Sequence, residues 1–154
     1  MKRTILISFI LMTLNTFGFE LGEKVPGFKL VSHEGKRVQL DDLRGKPFVL
    51  EWLNHDCPFV KKHYKSGNMQ KTQKLAKENG YTWISIISSA PGKQGYVDIK
   101  EAKKARESKG SKADFVLLDS SGVIGREYQA KTTPYIVIAN KKHELMYALS
   151  LIHI

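Results

Sequence analysis

The chain has 154 residues, enough for one domain with a core of its own. Apolar residues make up 42% and charged residues 26%, which fits a globular chain and excludes a disordered or collagen-like one. Net charge is +10, but the lysines and arginines are scattered through predicted helices and loops, without interleaved aromatics or a nucleic-acid-binding module. They read as a solvated basic surface, and no nucleic-acid partner is expected.

The first residues carry an address. Met1-Lys2-Arg3 is a short basic start, Thr4 to Phe17 is mostly apolar, and Thr16-Phe17-Gly18 offers a cleavage site. This is the pattern of a signal peptide over residues 1–18, leaving a domain over 19–154. The apolar stretch is shorter than the ~20 residues a bilayer span needs, so membrane contact is expected through the leader only. Export leads to an oxidising compartment, where cysteines normally pair. Here there is one, Cys57, which cannot form a disulfide within the chain.

In chain order, Phe28–Val31 and Val38–Leu40 flank a turn at His33–Lys36 and predict an N-terminal hairpin. Asp41–Lys46 is a turn or a single helical turn. Pro47 to Leu53 is a nearly continuous run of β-formers, the mark of a strand buried on both faces. A helix is predicted from Cys57-Pro58 to Asn79, broken near Ser66-Gly67-Asn68 and closed by Gly80. Tyr81–Ile87 is a second buried strand, Ser88–Gly95 a loop, and Asp98–Ser108 a helix with an Asp cap. A strand over Phe115–Leu118, a short helix over Val123–Gln129 and strands over Tyr135–Ala139 and Glu144–Ala148 complete a mixed α/β sheet.

Cys57 ends a loop after a buried strand and opens a helix, with Pro58 at the first helical position, where its missing N–H costs nothing. The free N–H groups and the dipole at that end favour an anion, lowering a thiol pKa from its usual ~8.5. Lys61, one turn on, adds a cation on the same face, and His55 is near in sequence. Cys57 is therefore the candidate nucleophile. No metal site is expected: His63 falls on the far side of the helix, and soft metals want more than one thiolate. The loop Ser88–Gly95 contains Gly92-Lys93 but lacks the glycine and hydroxyl spacing of a phosphate-binding loop, and borders the active-site rim instead. Trp52 and Trp83 are read as core packing.

These residues carry a family resemblance. The stretch Pro47-Phe48-Val49-Leu50-Glu51-Trp52-Leu53-Asn54-His55-Asp56-Cys57-Pro58-Phe59-Val60 resembles the active-site strand and helix of thioredoxin-like proteins. The lead Gly22–Phe28 and Gly45-Lys46 are similar to those of the redoxin branch, the alkyl hydroperoxide reductase/thiol-specific antioxidant group. Tyr128–Pro134 resembles the segment that bears the cis-proline of the fold. The resemblance implies a thioredoxin-like α/β fold, a central mixed sheet flanked by helices with an N-terminal hairpin added. It implies a cis Thr133–Pro134 bond beside the sulfur, with Thr133, Pro134, Pro58 and Asn54 on the substrate side. It also sets Glu51 where thioredoxins hold a buried carboxylate, which would serve in acid–base exchange with a sulfur leaving group.

The departures bear on activity. Val60 stands where thioredoxins carry their second cysteine, so the chain cannot resolve its own mixed disulfide. Leu50 and Asn54 replace the Pro and Thr that peroxiredoxins carry before their reactive cysteine, and Thr133-Pro134 stands where their activating Arg approaches. Leu149–Ile154 resembles nothing in the family, whose closing helix is missing, and apolar sheet surface is expected to lie exposed. The expectation is an exported thiol oxidoreductase without cofactor, in which Cys57 attacks a peroxide or a disulfide and an external thiol or thiol reductase completes the cycle. The alternative is a catalytically degenerate scaffold that holds a metal, a client peptide or an envelope partner.

Overall fold

A computed structural model describes residues 20–152, and through them runs one seven-stranded sheet. The leader expected over 1–18 lies outside the described residues. The strands are β1 (Lys29–Ser32), β2 (Arg37–Gln39), β3 (Phe48–Trp52), β4 (Thr82–Ile87), β5 (Phe115–Leu118), β6 (Tyr135–Ala139) and β7 (Leu145–Ser150), in the order β2-β1-β5-β4-β3-β6-β7. β3, β4 and β5 are parallel, while β6 and β7 return antiparallel on one side and the β1–β2 hairpin on the other.

The central position of β3 follows from its composition. All five of its residues are buried, so it needs helices or loops on both faces. Phe48, Leu50 and Trp52 face a core closed by Val25, Phe28, Leu43, Ile124 and Tyr128. Val49 and Leu53 face the opposite core, made with Val60, Tyr64, Met69 and Ala102 from the helices. Those helices are α1 (Pro58–Lys65), α2 (Asn68–Glu78) and α3 (Ile99–Ser108), with α4 (Val123–Glu127) on the first face.

The break foreseen between α1 and α2 falls at Gly67, whose φ of 73° suits glycine. The Asp98 cap of α3 is half of a reciprocal pair: Asp98 Oδ1 accepts the Glu101 N–H at 2.7 Å, and Glu101 Oε2 accepts the Asp98 N–H at 2.9 Å. Most boundaries shift by a residue or two from expectation, and in three places the reason is visible. Leu40 leaves the hairpin and opens a 3-10 turn, Leu40–Leu43, its N–H donating to the Phe28 carbonyl at 3.0 Å. α4 stops at Glu127 because Gln129 turns left-handed, at φ 53°. β7 runs on to Ser150, which pairs with Tyr135 as Leu149 pairs with Ile136.

The lead is strapped to the far end of the chain. The Gly22 N–H donates to the Leu145 carbonyl and the Leu145 N–H to the Glu23 carbonyl, both at 2.8 Å. Met146, Tyr147 and Leu149 of β7 and Leu75 of α2 are exposed; Leu75, Met146 and Tyr147 line a hollow of about 440 Å³ with Val49, Trp83 and Ile138. Among the described residues no helix is long and apolar enough to cross a membrane.

Where β3, β4 and β5 end, a polar knot ties them to α4. Asp119, buried, accepts from Ser88 Oγ at 2.7 Å and from the Gly125 N–H at 2.9 Å, and Ser88 Oγ accepts from the Trp52 indole at 3.2 Å. A side chain at Gly125 would put its Cβ 2.8 Å from Ser88 Oγ. Gly125→Ala is expected to lower stability by about 1–3 kcal/mol, read as a fall in the urea midpoint.

Candidate functional site

The turn after β3 is built by Asn54. Its side-chain oxygen accepts the Asp56 N–H at 2.8 Å and its carbonyl accepts the Cys57 N–H at 3.1 Å. Its amide nitrogen donates to the Gln94 carbonyl at 3.3 Å, so the 88–97 loop borders the site as the sequence suggests. Cys57 then stands at the cap of α1 with extended backbone, φ −63° and ψ 126°, and Pro58 takes the first helical position. The Cys57 carbonyl accepts the Lys61 N–H at 2.9 Å, the first bond of the helix.

Cys57 is half-buried. Burial pushes its thiol up, but hydrogen bonding from the Thr133 side chain, the N–H groups of Val60 and Phe59, and the charge of Lys61 pull it down and prevail, leaving the pKa lowered. In the protonated form the thiol donates to the Thr133 carbonyl at 3.1 Å. Thr133 thus meets the sulfur with both its side chain and its carbonyl, and the Thr133–Pro134 bond is cis, with Pro134 buried.

Lys61 Nζ lies 3.8 Å from Asp56 Oδ1, both half-exposed, so its cation is shared between that carboxylate and the sulfur. His55 adds no charge near neutrality: burial and then the Lys109 cation push its pKa down to about 4, against the pull of Asp56. His63 is turned away, its Nδ1 3.1 Å from Asn68 Nδ2.

Glu51 lies beneath α1, fully buried in the middle of β3. It does not reach solvent at a strand edge, nor do its hydrogen bonds go to Cys57. Oε2 accepts from the Trp83 indole at 2.8 Å, Ser85 Oγ at 3.0 Å and Gln73 Nε2 at 3.1 Å, and Oε1 accepts from Tyr64 Oη at 3.0 Å. Burial raises its pKa, against the pull of those same four donors. Trp83 is therefore more than core packing. Tyr64, Gln73 and Ser85 were not singled out by sequence, although a glutamine on the apolar stripe of a helix and a glutamate inside an apolar strand are a visible signal of mutual need.

Strand, sulfur-capped helix and facing cis-proline agree with what the family comparison finds: a family model described as AhpC/TSA matches residues 21–148. The chain belongs to the AhpC/TSA family. No curated protein matches it. Among solved structures, a conserved protein from Geobacillus kaustophilus superposes with a TM-score of 0.78 at 23% identity, over 89% of this chain and 72% of that one. The thioredoxin domain of a thiol-disulfide oxidoreductase from Bacteroides vulgatus gives 0.67 at 19%, over 85% and 89%. A secreted disulfide oxidoreductase from Mycobacterium tuberculosis gives 0.61 at 19%, over 77% and 80%. At these identities the likeness is one of fold, and it places this AhpC/TSA protein among thioredoxin-like folds.

Two outcomes follow from the site. Alkylation of Cys57 by iodoacetamide should titrate below the ~8.5 of a free thiol, and Lys61→Met should move that midpoint upward. For Glu51, a raised pKa means that the folded chain holds a proton the unfolded chain has released, so its contribution to stability falls as pH rises from the ordinary carboxylate range through the Glu51 pKa. Glu51→Gln offers an oxygen to Trp83, Ser85 and Gln73 and an N–H to Tyr64 without titrating. Urea midpoints measured across pH should therefore diverge in favour of the variant as pH rises.

Proposed function

We propose that this AhpC/TSA protein is an exported thiol oxidoreductase with residues 1–18 as its leader, residues 19–154 as its redoxin domain and Cys57 as its single nucleophile. The observation that carries this reading is the lowered thiol at the cap of α1, set against the Thr133 backbone. The Cys57 thiolate attacks one sulfur of a disulfide; that S–S bond breaks, a mixed disulfide forms on Cys57, and the departing thiolate takes a proton from solvent. An external thiolate then attacks the mixed disulfide and restores Cys57, because the chain holds no second cysteine to do so. Thr133 and Pro134 present backbone to the client, with Pro58 and Asn54 on the rim of the same opening.

Lys61 stabilises the thiolate, and Glu51 acts at one remove, by fixing α1 and α2 through Tyr64 and Gln73. Family membership favours a second substrate, a peroxide whose O–O bond the thiolate breaks to give a sulfenic acid that an external thiol reduces through a mixed disulfide. Leu50 and Asn54 in place of the peroxidatic Pro and Thr weigh toward the disulfide.

Val60, fully buried one helical turn from Cys57, occupies the resolving position. The parent is expected to reduce insulin only when an outside thiol is supplied, whereas Val60→Cys should complete one round without it. Intact mass after a stoichiometric disulfide should show a Cys57 adduct in the parent and an internal disulfide in the variant. Equal behaviour of the two without added thiol would place the resolving position elsewhere.

A further inference from the structure

The 88–97 loop joins β4 to the cap of α3 and makes two turns of its own, the Lys93 N–H donating to Ala90 and the Tyr96 N–H to Lys93. It touches the Cys57 turn at one well-defined place. Gly95 is buried, has φ +80°, and lies against the Asn54 side chain so closely that a Cβ built on it would sit 2.5 Å from Nδ2 and nearer still to Oδ1 and Cγ. Gly92, three residues earlier, has nearly the same backbone, φ +75°, with nothing within 4 Å of a built Cβ. Both positions need glycine for their left-handed conformation. Gly95 alone of the two needs it for space.

The space is filled by the residue that shapes the approach to the sulfur. The Asn54 amide, in one orientation, serves both sides: Oδ1 holds the Asp56 N–H and Nδ2 holds the Gln94 carbonyl. With the Asn54 carbonyl on the Cys57 N–H, these bonds fix the turn over residues 54–57. That turn aims the Cys57 side chain at the Phe59 and Val60 N–H groups. We propose that Gly95 is a positioning residue for Cys57: its missing side chain admits the Asn54 amide, and the clasp so formed holds the sulfur against the free N–H groups of α1. The inference rests on the reading of Cys57 as the reacting sulfur.

The test is the pH–rate profile of Cys57 alkylation by iodoacetamide in the parent, Gly92→Ala, Gly95→Ala, Asn54→Ala and the double variant Asn54→Ala/Gly95→Ala. Gly95→Ala and Asn54→Ala are expected to move the midpoint upward and to slow alkylation at pH 7 by about threefold or more, as thiolate is lost. Gly92→Ala should follow the parent profile, since it carries the same backbone cost without the collision. In the double variant the colliding atoms are gone, so its profile should coincide with that of Asn54→Ala. A Gly95→Ala profile equal to that of Gly92→Ala, or a double variant that adds the full Gly95→Ala effect to that of Asn54→Ala, overturns the proposal. Should Gly95→Ala fail to fold, recovery of folding in the double variant supports the clasp, and equal failure of both refutes it. Alkylation reads the sulfur without any disulfide substrate, so a parent that reduces no disulfide would refute the proposed function and leave the Gly95 result to be judged by itself.

Discussion

A carboxyl group buried in the middle of a central strand must find donors on the elements around it, and in this fold that demand organises one whole face. Glu51 draws Trp83 and Ser85 from β4, Tyr64 from α1 and Gln73 from α2. Gln73 then spends its own oxygen on the Lys112 N–H, at 2.7 Å, beyond the end of α3. One side chain therefore sets the spacing between the sheet and three helices, and the helix whose first turn faces the Cys57 sulfur is among them. Removing the carboxyl without replacing its acceptor would strand the Trp83 indole and leave the Gln73 amide nitrogen with Tyr64 Oη alone, in a site closed to water.

The opposite face is locked by a different chemistry, where β3, β4 and β5 end. There Asp119 gathers Ser88, Ser121 and the N–H of Gly125, and Ser88 turns to Trp52. Trp52 closes β3 just before the turn to Cys57, so the strand that leads to Cys57 is pinned on one side through Glu51 and on the other through its own indole. Between these two polar anchors the Asn54 turn is held by its own hydrogen bonds and by one to the 88–97 loop, and it is from that turn that the Cys57 side chain projects.

Much of this frame was legible in the sequence. The run from Pro47 to Leu53 reads as a doubly buried strand because nearly every side chain in it is apolar, and the exception, Glu51, is the residue around which a polar cradle forms. Cys57-Pro58 announces a helix start through the one residue that tolerates the loss of an N–H there, and Phe115–Leu118 and Tyr135–Ala139 are bounded as the structure has them. What escaped were features whose partners lie far apart in the chain. The Glu51 cradle joins residues from three elements, and Asp119 looks like an ordinary turn residue until Ser88 is placed beside it. Gly95 has the composition of a loop glycine, indistinguishable from Gly92 until Asn54 is seen to fill the space it leaves. Boundaries slipped by a residue or two where a local rule yielded to pairing, as when β7 continued past Ala148 to satisfy β6.

The strap between the lead and β7, together with the place of β6, has a consequence for when the protein becomes itself. Cys57 and its partner Thr133 are 76 positions apart, and β3 has its antiparallel neighbour only once the β6–β7 hairpin exists. Pairings of this range close late and slowly. While the chain is still being synthesised, the strand that leads to Cys57 lacks one side of its sheet, and the lead lacks the strand it will be tied to. For a chain exported as proposed, the β3–β6 pairing is completed only once that hairpin has arrived. Until then the Cys57 thiol stands without Thr133 beside it, and it takes on the surroundings that lower its pKa only when the two ends of the sheet have closed on each other.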